Sequence, residues 1–126
     1  MNKFLKTMTF KFFGGGKHKI TATDFFSADN ALFLDVRSRD EIASVCFTLH
    51  QPTLEIPIDE IPDHFTEIPK GPLIGIFCPA GIRASMVYAF LRINGYDNVR
   101  ILEGGYSSLT DELKPGKLLK RREKLS

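Results

Sequence analysis

A chain of 126 residues is long enough for one domain with its own core, and 43% hydrophobic against 25% charged residues excludes a disordered or low-complexity protein. No apolar run approaches the ~18 residues of a membrane-spanning helix. The net charge of +2 conceals a division, because residues 1–19 and 114–126 together carry +10 and residues 20–113 carry −8. The basic ends read first as solvated, fraying termini, and second as contacts for an acidic partner. Neither zinc-finger spacing nor an RNA-binding aromatic motif is present, so no nucleic-acid partner is expected. Residues 1–13 alternate Lys with Phe, Leu and Met, without the continuous apolar core and cleavage site of a signal peptide. Two cysteines make no disulfide framework, and a reduced cytoplasmic protein is the expectation.

In chain order, Ala31 to Val36 is too short for a helix and apolar on both faces, so it reads as a buried strand. Ser38 is placed to cap a short helix through Ala43, with acids in its first turn. Leu54 to Ile58 forms a brief or edge strand because Pro57 interrupts it. Asp59 is placed to cap a helix over Glu60 to Phe65. Leu73 to Cys78 is the next buried strand. The longest helix runs from Gly81 or Ile82 to about Asn94, with Met86, Val87, Phe90, Leu91 and either Ile93 or Ile82 as its apolar face. Gly95 suits its C-terminal stop. Asn98 to Leu102 is a further strand, and Gly104-Gly105 leads into a last helix ending near Leu113. Strand-then-helix order predicts an α/β fold, a parallel sheet with helices on both faces. Its ligand site belongs at the carboxyl ends of the strands, where Asp35, Cys78 and Glu103 fall.

The most informative run is Ile76 to Ser85. A buried strand delivers Cys78 into a turn containing Pro79 and Gly81, and the turn opens a helix. A thiol at a helix N-terminus faces unpaired amides and the positive end of the helix dipole, which favour the nucleophilic thiolate. Pro79 has no N–H, so the amides of Ala80, Gly81, Ile82, Arg83 and Ala84 are the expected donors. Gly81 lets the backbone curl around the sulfur. Arg83 supplies a cation for an anionic substrate, and the Ser85 hydroxyl adds a possible hydrogen bond. A phosphate-binding cysteine loop places five residues between Cys and Arg. Here there are four, which disfavours a phosphatase.

Leu34-Asp35-Val36-Arg37, Asp40-Glu41, Ile56 to Ile61, the Cys78 loop, Asn94-Gly95-Tyr96 and Leu102 to Tyr106 follow one another in the order of a single-domain rhodanese, which this chain resembles over about residues 18–116. The resemblance implies a parallel sheet of about five strands between helices. It also implies sulfur transfer through a Cys78 persulfide, from thiosulfate, polysulfide or another persulfide to a thiol, a protein thiol or cyanide. That two-step covalent chemistry needs no metal or cofactor. The alternative is a rhodanese-like module retained for binding or regulation. Residues 1–17 and 117–126 flank the domain as basic segments.

Other residues take supporting roles. Asp35 accepts hydrogen bonds from loop amides. Arg37 and Glu41, four apart, are expected to pair on a helix surface. Gly104 and Gly105 permit close chain approach beside the pocket, and Glu103 is solvated or caps a helix. The segment from Ile42 to Glu55 departs from the family pattern of Gly-His-Ile-Pro-Gly-Ala type. Cys46 within it reads as a buried structural thiol between Val45 and Phe47, with a role in resolving a persulfide as the second reading. His18, His50 and His64 are isolated and show no metal-ligand spacing.

Overall fold

The computed structural model describes residues 2–114; the basic segment 117–126 lies outside the described residues. Five parallel strands form one sheet in the order β1-β5-β4-β2-β3. They are β1 (Lys19–Ile20), β2 (Ala31–Asp35), β3 (Thr53–Glu55), β4 (Leu73–Phe77) and β5 (Val99–Leu102). The predicted α/β architecture is therefore present, with one strand, β1, that two residues were too few to announce.

Side-chain alternation along the central strands divides the core in two. Leu32, Leu34, Val36, Ile74, Ile76, Cys78, Val99 and Ile101 belong to one cluster, with Val87 and Leu91 of α6 (Ile82–Ile93). Phe33, Phe77 and Leu102 belong to the other, with Phe25 of α3 (Ala22–Ser27) and Leu109 of α7 (Gly105–Glu112). Strands buried on both faces are what the continuous apolar runs require. Each large apolar side chain so buried contributes about 1.5–3 kcal/mol.

Three expectations are corrected by packing. The buried face of α6 is Ala84, Val87, Tyr88 and Leu91, at the spacing of one helical stripe. Met86, Ile82 and Ile93 stand exposed at 62%, 67% and 41%, and Phe90 meets Phe65 edge-on. Asp59 caps nothing; it lies inside a 3-10 turn (Ile58–Glu60) that Pro57 opens, ahead of α5 (Ile61–His64). The strand predicted over Leu54 to Ile58 ends at Glu55, and lies at the sheet edge as Pro57 suggested.

The N-terminal segment also differs from a fraying tail. It forms α1 (Asn2–Lys6) and α2 (Phe10–Gly14), and Phe4, Met8 and Phe12 pack against the α6 side of the core. Its lysines, from Lys3 to Lys17, remain exposed.

At the middle of β4, a β-carbon on Gly75 would stand 2.5 Å from the fully buried ring of Phe25. Gly75→Ala is expected to destabilise the fold by about 1–3 kcal/mol through this overpacking, read as a lower urea midpoint.

Candidate functional site

The parallel register brings Asp35, Phe77 and Leu102 to the same edge of the sheet, and Cys78 follows directly from β4. Its side chain is 2% exposed. Gly81, at φ +85°, reverses the chain and forms the N-terminal boundary of α6. That turn aims two amides at the sulfur: Gly81 N–H at 3.1 Å and Ala84 N–H at 3.2 Å from Cys78 Sγ. Of the five expected donors, these two reach Sγ. No hydrogen bond to it comes from Ala80, Ile82 or Arg83. The Ser85 hydroxyl donates to the Gly81 carbonyl at 2.8 Å, fastening the first turn of α6.

Behind the loop, α7 approaches closely. A β-carbon at Gly105 would overlap the Pro79 carbonyl oxygen, so the absence of a side chain there lets α7 rest on the cysteine loop. Gly104, at φ +86°, lies at the boundary of α7 and would collide with Ser108 if substituted.

The charged residues pair differently from the i, i+4 expectation. Arg37 is fully buried, and its guanidinium meets Asp35 through Nε at 2.9 Å and Nη2 at 2.7 Å. The Arg37 backbone N–H also donates to Asp35, at 3.2 Å. Nη1 donates to the Tyr106 hydroxyl at 3.1 Å and the Glu41 carbonyl at 3.3 Å. The rings of Phe47, Phe77 and Tyr106 surround the cation, with centroids 4.9–5.6 Å from Cζ. Burial opposes the charge, but Asp35 and Tyr106 outweigh it and raise the Arg37 pKa.

Glu41 is thereby left for other partners. It completes a capping box with Ser38 at the start of α4 (Arg39–Ser44), as the sequence suggested for Ser38. Its carboxylate takes both terminal nitrogens of Arg83, at 2.5 and 3.0 Å. Arg83 and the Ser38 backbone N–H together hold the Glu41 pKa down at about 2. The same pairing raises the pKa of Arg83, with smaller contributions from Cys78 and Tyr106, so the guanidinium also feels the sulfur.

Cys78 also lines a cleft of about 490 Å³. Cys78, Gly81, Ile82 and Ser85 line one wall, Gly104 and Gly105 another, and His18, Lys19, Ile101 and Glu103 complete it. Arg83 is not among its lining residues. Sequence reading missed His18 and Lys19 here, since they come from the opposite end of the chain. Cys46 is exposed rather than buried: Val45 beside it is exposed as well, and of its flanks only Phe47 turns inward, onto Phe33 and Phe77; its thiol donates to the Ile42 carbonyl at 2.9 Å. His64 pairs with Glu67 on the surface. Among the described residues no three His, Cys, Asp or Glu side chains converge as a metal site requires, and no helix is long and apolar enough to cross a membrane.

The Rhodanese-like domain family matches residues 21–112. The chain belongs to that family. A sulfurtransferase from Allochromatium vinosum is 34% identical over 77 residues, covering 61% of this chain and 69% of the relative. A tRNA sulfurtransferase from Histophilus somni is 27% identical over 74 residues, 58% of this chain, which are only 15% of that longer protein. Among solved structures, a rhodanese-related protein from Thermoplasma volcanium superimposes with a TM-score of 0.66 at 25% identity, covering 78% of this chain and 95% of its own. A rhodanese-like domain protein from Staphylococcus aureus gives 0.61 at 27% identity over 72% and 89%.

Two predictions arise from the charged pairs. Asp35→Ala leaves Arg37 buried without its counter-ion and is expected to cost about 3–5 kcal/mol in urea unfolding. Glu41→Gln retains the capping hydrogen bond while removing the charge. With the folded pKa below the unfolded value of about 4.3, the pair contributes stability above that pH and loses it as pH falls towards 2. A third of each side chain is exposed, so screening limits the contribution to about 1 kcal/mol. The stability difference between wild type and Glu41→Gln should therefore be present at neutral pH and shrink in acid.

Proposed function

We propose that this rhodanese-family chain is a sulfurtransferase in which Cys78 carries sulfane sulfur. In the first step a lone pair of the Cys78 thiolate attacks the outer sulfur of a donor such as thiosulfate. The donor S–S bond breaks with its electron pair on the departing sulfite, and Cys78 becomes a persulfide. In the second step an acceptor thiolate or cyanide attacks the outer sulfur, and Cys78 leaves as a thiolate. Sulfur is carried as a covalent adduct throughout, so the chemistry is that of an activated nucleophile.

The observation that carries the reading is the convergence of Gly81 and Ala84 N–H on Sγ within a loop of four residues between Cys78 and Arg83. Fixed amide donors stabilise a negative sulfur without reorganising during the reaction. The amides of Ala80, Ile82 and Arg83 then remain for the outer sulfur of the persulfide. Arg83 attracts the anionic donor, in competition with Glu41. Asp35 and Arg37 brace the strand end, and Gly104 and Gly105 allow α7 to support the loop. The domain spans 18–116 with the apolar side chains of the N-terminal helices packed on it, and the exposed lysines of 1–17 and the basic segment 117–126 serve solubility or a protein partner. The reading places the protein in the cytoplasm, where both thiols stay reduced.

Intact-mass measurement tests the proposal. Incubation with thiosulfate or polysulfide should add one sulfur atom, removed by cyanide or dithiothreitol and absent in Cys78→Ser. If no donor gives an adduct, the fold serves binding instead. Turnover of an aryl phosphate, lost in Cys78→Ser, would favour the phosphatase reading.

A further inference from the structure

His18 lines the cleft and holds a buried side-chain nitrogen without a hydrogen-bond partner. Its side chain is enclosed at 9% exposure, between the rings of Phe12, Phe13 and Tyr88, at centroid distances of 5.9, 4.9 and 6.5 Å. Its backbone is pinned as well, since its carbonyl accepts from Ile101 N–H at 2.8 Å. Among the described residues, Nδ1 is the buried side-chain nitrogen or oxygen without a hydrogen-bond partner. Nε2 has no protein partner either, yet is not sealed from solvent, and His18 lines the Cys78 cleft.

The environment also selects the protonation state. Burial, and then the neighbouring charge of Lys19, lower the His18 pKa, while Glu103 acts weakly in the opposite sense. The ring is therefore neutral at neutral pH. A proton on Nδ1 would be a buried, unpaired N–H, which is rare in folded proteins. The proton belongs on Nε2, which leaves the ring an unpaired donor beside the cleft that His18 lines. Lys19 adds a positive charge at the rim.

β5 lies between β1 and β4, so two strand spacings, about 10 Å, separate the lines of His18 and Cys78, and the register sets His18 level with Gly75, a further ~10 Å short of Cys78 along the strands. That gap is too wide for His18 to act on the Cys78 sulfur and wide enough for a small molecule resting on Ile101. We propose that the cleft between Cys78 and His18 is the sulfur-acceptor half-site, which takes a small anionic sulfur nucleophile (sulfite, or a thiol bearing a carboxylate) on the His18 Nε2–H and Lys19.

This rests on the sulfurtransferase reading above and says which acceptors that reading favours. The acceptor sulfur uses its lone pair to form a new S–S bond to the outer sulfur of the persulfide. The bond to Cys78 breaks, its electron pair staying on Sγ as a thiolate. With sulfite the product is thiosulfate; with a thiolate it is a new persulfide. Charge is conserved and no other oxidant or reductant is needed. Two anions must meet in this step, and a donor and a cation beside the incoming one offset their repulsion.

The two half-reactions separate the inference from the reading beneath it. Wild type and His18→Phe, which keeps an aromatic ring among Phe12, Phe13 and Tyr88, are loaded with sulfur and then mixed with sulfite, N-acetylcysteine or the cationic thiol cysteamine. Loss of the sulfur adduct is followed by mass. Once loaded to completion, His18→Phe should unload onto sulfite and N-acetylcysteine about tenfold more slowly than wild type, with cysteamine little affected, and its loading from thiosulfate, the reverse of unloading onto sulfite, should slow in step. His18→Asn, which restores an N–H, should recover part of the loss, a rescue that a packing role would not give. Lys19 is exposed, so Lys19→Glu should fold and shift preference from N-acetylcysteine towards cysteamine; an equal rate change for both acceptors, or none, would overturn the proposal. Unchanged unloading of His18→Phe onto both anions overturns it as well. Failure of wild type to load any sulfur overturns the sulfurtransferase reading instead, and the acceptor site with it.

Discussion

The carboxyl edge of the sheet depends on one buried ion pair. Arg37 and Asp35 lie two residues apart at the end of β2, and neither side chain reaches water. Such a pair gains little net stability relative to apolar residues of the same size, because desolvation offsets the attraction. What it supplies is geometry. The guanidinium plane bonds to Asp35, to the Glu41 carbonyl on α4 and to the Tyr106 hydroxyl on α7, and three aromatic rings close around it. The end of β2, the start of α4 and the start of α7 are thereby fixed to one another. Any of them moving would strand a charge in the core.

The sulfur cradle is built on those fixed pieces. α7 is held by Arg37 through Tyr106, and Gly105 in turn lies against Pro79 of the cysteine loop. α4 is held by Arg37 through the Glu41 carbonyl, while the Glu41 carboxylate reaches Arg83 on α6. The two sides of the loop are thus braced through different helices that meet at one guanidinium. With its basic partner committed to Asp35, Glu41 can serve as both helix cap and anchor for Arg83. The arrangement leaves Arg83 close enough to feel Cys78 electrostatically, while its guanidinium is tied to Glu41 and does not line the cleft.

Much of this was legible in the residues. Apolar runs bounded by turn signals gave β2, β4 and β5, and Gly81 with Arg83 marked the cysteine loop before any fold was assumed. The pairing of Arg37 was not legible, because an i, i+4 rule compares neighbours along a helix and ignores a carboxylate two residues upstream on a strand. Cys46 was misjudged for a related reason: apolar flanks predict burial only where another element covers them. The face of α6 was misjudged because Met86 and Ile82 weigh as heavily in a periodicity count as Tyr88, although only Tyr88 faces the sheet. The helices of the first 17 residues were hidden by their lysines, which stay outside while Phe4, Met8 and Phe12 turn inward.

His18 shows where a linear reading reaches its limit. Nothing within ten residues of it announces a site, and sixty residues of sequence separate it from Cys78. The strand order removes that separation, since the chain begins its sheet at the edge next to β5, the last strand to be added. A parallel sheet wound in this order joins the two ends of the domain across β5, and the cleft receives one wall from each. The cysteine loop can therefore retain a local and recognisable form while the opposite wall varies independently of it. The two amides at Sγ are backbone groups that the loop itself supplies, whereas the opposite wall is made by side chains such as His18 and Lys19, which the cysteine loop does not specify.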